Sequence, residues 1–139
     1  MVRTVTLTLR TRGTCDLVDL TRQVREAVAG SGVRNGTVTV FVPGSTAGIT
    51  TLEFEPGAVR DFQELMERWI PAQGRYHHNE RWGDGNGFSH LRSALTGPSL
   101  AVPFQNADLL LGTWQQIVLA CFDNRPRRRA VVLQITGDP

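Results

Sequence analysis

The chain contains no lysine; all fifteen of its basic residues are arginine. Schiff-base chemistry and a lysine general base are therefore excluded, and any anion site must rely on guanidinium groups or backbone N–H groups. Cysteine is scarce too. Cys15 and Cys121 lie far apart and fit neither a disulfide framework nor a CxxC site, so a reduced, cytoplasmic setting is expected. No apolar run approaches the length of a bilayer span, and the N-terminus alternates apolar and polar residues where a secretory signal would be continuously apolar. No membrane partner is expected. The net charge is only +2, and the aromatic residues are not interleaved with basic ones, so no nucleic-acid partner is expected either.

What is present is enough for one domain, residues 1–139, that buries roughly two-thirds of its unfolded surface. Alternation and β-branching predict strands over residues 2–10, 37–42, 49–54, 99–104, 109–111, 114–122 and 130–136. Helical periodicity predicts a helix over 16–28, closed by Gly30-Ser31-Gly32, and a second over 58–69 with Val59, Phe62, Leu65, Met66 and Trp69 on one stripe. A third, short helix is expected over 88–95, capped by Asn86 or Gly87, and Asn35-Gly36 reads as a turn. Strands cluster in the C-terminal half without intervening helices. The order predicts an α+β fold, a mainly antiparallel β-sandwich with two longer helices and one short one.

All three histidines fall between Tyr76 and His90, among carboxylates, amides and three glycines. Imidazole is the commonest protein metal ligand and the side chain whose unperturbed pKa lies nearest neutrality, so this segment is the first candidate for chemistry. His77 and His78 are adjacent, and in an extended segment only one of them faces a given site; His78 and His90 are the candidates and His77 the neighbour. No cysteine is near. A divalent metal, Mg2+ or Zn2+, would be held by His78 and His90 with oxygen ligands from Asp84, Glu53 or Glu80, leaving positions open for water or substrate. Asp84-Gly85-Asn86-Gly87 is a double turn before a helix, and its amides suit a phosphate or carboxylate.

Other stretches are less specific. The turn containing Gly44, Ser45 and Thr46 offers hydroxyls and amides at a strand end, but it lacks the Lys-Ser/Thr ending of a P-loop. Gly112, Thr113, Trp114 and Gln115 place a tryptophan beside polar residues at a strand entrance. Arg125-Pro126-Arg127-Arg128-Arg129 reads as a hairpin loop that can supply bidentate phosphate donors if it curls toward the histidines.

Gly44-Ser45-Thr46-Ala47 with Glu53, Tyr76-His77-His78, Asn86 through His90, Gly97-Pro98-Ser99-Leu100 with Pro103, Gly112-Thr113-Trp114-Gln115 and the arginine cluster, in that order, resemble the YjbQ family. The resemblance covers nearly the whole chain. It implies a compact α+β domain that assembles as a homotrimer, and a thiamine-phosphate synthase activity that joins a pyrimidine diphosphate to a thiazole phosphate and releases pyrophosphate. It implies catalytic roles for His78, His90 and Glu53, and a metal at His78, His90 and Asp84. Binding of a small phosphorylated ligand would fall to Ser45, Thr46, Asn86, Gly112, Thr113, Trp114, Gln115, Arg128 and Arg129. Asn79 and Gly44 stand where many members carry aspartate and histidine. The same residues also suit a non-catalytic metal- or phosphometabolite-binding module, or a metal-dependent hydrolase.

Overall fold

The computed structural model describes residues Met1–Pro139. Strand β1 (Val2–Thr11) is followed by β2 (Asp16–Asp19), α1 (Thr21–Ala29), β3 (Asn35–Phe41), β4 (Ala47–Leu52) and α2 (Pro56–Trp69). Then come α3 (His77–Trp82), α4 (Gly87–Thr96), β5 (Ser99–Gln105), β6 (Asp108–Leu109), β7 (Gln116–Cys121) and β8 (Arg127–Asp138). The strands form a five-stranded sheet, β1-β8-β3-β5-β6, and a three-stranded sheet, β2-β7-β4. Every pairing is antiparallel. This is the expected α+β sandwich.

The main core lies between the sheets. Val38, Val40, Val102, Leu133 and Ile135 of the larger sheet meet Ile49, Ile117 and Leu119 of the smaller, and Leu20, just before α1, with Val24 and Val28 of α1 join the same cluster. Strand β7 is covered on both faces. Its alternate residues Val118 and Ala120, with Phe122 just beyond, form a second cluster with Leu17 and with Met66 of α2. A strand buried on both sides needs apolar residues at every position, which explains the unbroken run from Ile117 to Phe122. Each such Val, Leu or Ile stabilises the fold by roughly 1.5–3 kcal/mol.

Helix α2 follows its apolar stripe, with Pro56 in its first turn and Glu55 as N-cap accepting from the N–H groups of Gly57 and Ala58. Its C-terminus is held by Arg92 of α4, a guanidinium only 1% exposed that donates from Nε and Nη2 to the Ile70 carbonyl at 3.0 and 2.7 Å. A cation is favourable at that end of a helix.

Four local expectations are corrected. Residues 16–19 form a strand rather than the first turn of a helix, because Leu17 pairs with Ala120 and the Asp19 carboxylate accepts from the Thr21 N–H and hydroxyl, starting α1 there. Asn35-Gly36 is not a turn. It opens β3, and Gly36 packs so tightly on β8 that a Cβ there would lie 2.0 Å from the Thr136 carbonyl oxygen. Trp114 stands outside β7, which begins at Gln116. The histidine segment contains a helix of its own, α3, ended by Gly83 in the left-handed conformation at φ 64°, which glycine adopts without strain.

Candidate functional site

The site is organised by a residue absent from the sequence-based candidates. Asp123 follows the apolar run of β7 and is 0% exposed. Its Oδ2 accepts from Thr46 Oγ1 at 3.0 Å, Arg127 Nε at 3.0 Å and Asn86 Nδ2 at 3.3 Å, and its Oδ1 accepts from the Arg125 N–H at 3.2 Å. Burial by itself would raise the pKa of this carboxyl, but the hydrogen bonds from Thr46, Arg127 and Asn86 and the Arg127 charge hold it below its ordinary value. Three of the four donors converge on Oδ2, and the fourth takes one lone pair of Oδ1. Asp123 is therefore an ionised clamp that ties the start of β4, the start of α4 and the start of β8 together.

The clamp draws several expected residues together. Asn86, at the start of α4, also accepts from Ser89 Oγ at 2.5 Å and from the Asn124 N–H at 3.2 Å. Asn124 Nδ2 in turn donates to the Asp84 carbonyl at 2.8 Å. Asp84, Asn86, Asn124, Arg125 and Arg127 line a cavity of about 370 Å³ that contains no apolar side chain. Along β8 the arginines alternate: Arg127 and Arg129 face the clamp, and Arg128 is exposed on the opposite side. Arg129 donates from Nη2 to Thr46 Oγ1 at 2.7 Å and to Cys121 Sγ at 3.2 Å.

Helices α3 and α4 bring His78 and His90 together, with ring centroids 4.4 Å apart and planes inclined by 39°. His78 Nδ1 is buried, makes no hydrogen bond, and lies 3.5 Å from Asp84 Oδ1. His77 is fully exposed beside Glu80. His78, His90 and Asp84 are thus neighbours. As a metal centre the set does not fit, since no three His, Cys, Asp or Glu side chains in the chain are arranged to share an ion.

The remaining candidates lie elsewhere. Glu53 follows the end of β4 opposite to Thr46, seven residues or about 23 Å away along an extended strand. Gly112 donates its N–H to Gln115 Oε1 at 3.0 Å, Gln115 Nε2 reaches Thr51 Oγ1 at 3.4 Å, and Trp114 is 73% exposed. Gln115 lines a different cavity, of about 410 Å³, with Thr51, Ser99, Pro103 and Leu110. Within one chain, therefore, the polar end holds the histidines and the clamp, while Glu53 and the Gly112 to Gln115 turn belong to the other end of the small sheet. Of the expected arginine donors it is Arg125 and Arg127 that line the cavity, and the missed residues were Asp123 and Asn124. Their signal was a lone acid between an apolar strand and an arginine cluster.

Residues 5–138 match the family described as UPF0047 protein YjbQ-like. The chain belongs to this family. It is 38% identical over 138 residues to a UPF0047 protein of Methanothermobacter thermautotrophicus, covering 99% of this chain and 94% of that protein. With the UPF0047 protein YugU of Bacillus subtilis it shares 32% identity over 133 residues, 95% of this chain and 98% of the relative. The UPF0047 fold is the same in solved structures. A protein of Aeropyrum pernix K1 superimposes with a TM-score of 0.90 at 32% identity, covering 98% of this chain and 99% of that one. A YbjQ-like protein of unknown function from Sulfolobus solfataricus gives a TM-score of 0.88 at 28% identity, covering 99% and 100%.

Proposed function

We propose that this YjbQ-family chain is a transferase of the thiamine-phosphate synthase type, with the polar cavity beside the His78 and His90 pair as its diphosphate site. The supporting observation is that Asp84 joins the two features: it lines the arginine-bearing cavity and stands 3.5 Å from the unpartnered His78 Nδ1. In the reaction, the thiazole ring nitrogen attacks the methylene carbon of the pyrimidine diphosphate. A C–N bond forms as the C–O bond to the diphosphate breaks, and the electron pair departs with pyrophosphate. Arg125 and Arg127 offset the developing charge, and a protonated His78 or His90 delivers a proton to the leaving group. The attacking nitrogen carries no proton, so the chemistry requires no general base, and Asp123 acts by holding Thr46, Asn86 and Arg127 in place.

The divalent ion, Mg2+ or Zn2+, that such a diphosphate commonly brings would supply further charge neutralisation; no step is assigned to it, because the chain's own side chains do not form a centre for it. The reading includes assembly as a homotrimer, supported by the exposure of the large apolar side chains Trp69, Leu95, Leu110 and Trp114. Light scattering should return three times the 15.4 kDa chain mass, and a monomer would remove this part of the reading.

The test is formation of thiamine phosphate and pyrophosphate from the two substrates. Wild type and His77→Ala should turn over, and His90→Ala should lose about a hundredfold or more. Equal turnover in His78→Ala/His90→Ala would take the histidines out of the site. A second reading, a non-catalytic phosphometabolite-binding module, is favoured by the hydrogen bonds from Asn86 and Arg127 to Asp123, which fix these two residues of the cavity in place. Ligand binding without any turnover would select it.

A further inference from the structure

Arg129 is 8% exposed, and no carboxylate lies within ion-pairing distance of it. The one buried acid of the chain, Asp123, is paired with Arg127, so the cluster of Asp123, Arg127 and Arg129 carries a net positive charge. The Arg129 hydrogen bonds all leave from Nη2, and its buried Nε has no partner. Burying a guanidinium without a counter-charge is costly, so a structure that keeps one there is built to receive an anion.

The surroundings name the anion. Continuing the register of β3 and β8 past Phe41 and Val132 sets Gly44 opposite Arg129. A Cβ on Gly44, whose φ is +144°, would stand 3.2 Å from Arg129 Nη1. Only a residue without a side chain leaves that nitrogen open to the loop. The backbone N–H groups of Gly44, Ser45 and Thr46 all lack a protein acceptor. The Ser45 hydroxyl, exposed at the same turn, also makes no hydrogen bond within the chain. Successive free N–H groups beside a guanidinium match the several oxygens of a tetrahedral oxyanion better than the two of a carboxylate.

We infer that residues 43–46 and Arg129 form a second oxyanion site, separate from the Arg125 and Arg127 cavity, that holds a phosphoryl group. The inference rests on the proposed reaction only for its role there: one substrate brings a diphosphate, and the other brings a monophosphate that needs its own anchor.

The full-length protein titrated calorimetrically with inorganic phosphate tests the site. Binding should persist in Arg125→Gln. The binding that persists there should weaken at least tenfold when Ser45→Asp, whose carboxylate occupies the loop, is added, and Ser45→Asp alone should melt higher than wild type without phosphate. Arg129→Gln added to Arg125→Gln should abolish binding; where it fails to fold, Ser45→Asp, an exposed substitution, decides. Competition by glycerol phosphate would mark the anchor of a phosphate ester, and its failure to compete a free-phosphate site; either supports the oxyanion assignment. Phosphate uptake that vanishes in Arg125→Gln, binding unchanged when Ser45→Asp is added to Arg125→Gln, or no uptake by wild type overturns it. A negative transferase assay with loop binding intact refutes the reaction and leaves the site.

Discussion

The hydroxyl of Thr46 donates to the buried carboxylate of Asp123 at 3.0 Å, bridging the entrance of β4 and the exit of β7. The same hydroxyl accepts from Arg129 at 2.7 Å, so one threonine couples a buried anion to a buried cation. Removing either end leaves a charge inside the protein with one partner fewer.

Asp123→Asn should cost about 3 kcal/mol and Thr46→Val about 2 kcal/mol, because each strands buried donors or acceptors. Urea midpoints at unchanged m-value give both figures. The double variant should fall short of their sum by more than about 0.5 kcal/mol, since the two groups share one network. Strict additivity would mean that the contact carries no coupling.

The pH dependence follows from the lowered pKa of Asp123. In the unfolded chain the group binds its proton near the ordinary carboxyl value of about 4, and in the folded chain only at lower pH. Its contribution is therefore complete above about pH 4 and is lost as the pH falls through the folded value. Plotted against pH, the stability gap between wild type and Asp123→Asn should be constant from neutrality down to that point and then close. A gap that widens on acidification would reverse the assignment.

Arg92 packs its guanidinium 4.8 Å over the Phe88 ring, donates twice to Ile70 and reaches Glu67 Oε2 at 2.8 Å. Arg92→Ala should destabilise by about 3–5 kcal/mol. Arg92→Lys should recover little of this, because one ammonium cannot reproduce the paired Nε and Nη2 donors. Full rescue by lysine would show that charge alone matters at this position.

Both thiols should be silent toward alkylating reagents in the native protein. Cys15 and Cys121 are buried, and burial outweighs the opposing charge of Arg92 to push the Cys15 thiol up to about 11. The thiolate is the reactive species, so Cys15 labelling should wait for unfolding. Two thiols titrating in denaturant and none within hours under native conditions is the expected count. Rapid native labelling would point to an open conformation.

Gly36→Ala should cost at least about 3 kcal/mol, since the neighbour it meets is backbone and cannot turn aside. The contact is the Thr136 carbonyl oxygen, 2.0 Å from the added carbon. A thermal melt within a few degrees of wild type would mean that the β3 and β8 ladder yields there.

Local patterns of sequence determined much of this protein. The stripe on α2 and the alternation of β1 and β8 are properties of neighbouring residues, and each fixed its element because burial of one face follows directly from period. Periodicity misread residues 16–19, since Leu17 and Leu20 fit a helical face as well as a strand, and only pairing with β7 distinguishes the two. In the same way the closing of His78 on His90 was legible from their shared loop, whereas α3 was not. A six-residue helix is too short to show a period and owes its existence to its neighbours, among them the Gly87 N–H donated to Asn79 Oδ1.

The absence of lysine and the crowding of histidines determined which chemistry was available; tertiary structure decided where it is. The partners of Asp123 stand 77, 37 and 4 residues away, at the ends of β4 and α3–α4 connections and of β8, and no local pattern joins them. Sheet register turned Arg127 and Arg129 inward and Arg128 out, and it carried Glu53 to the far end of β4 from the clamp. Side-chain type is written residue by residue, but the pairing of charges depends on distance through space, which the chain acquires only when its two sheets close on one another.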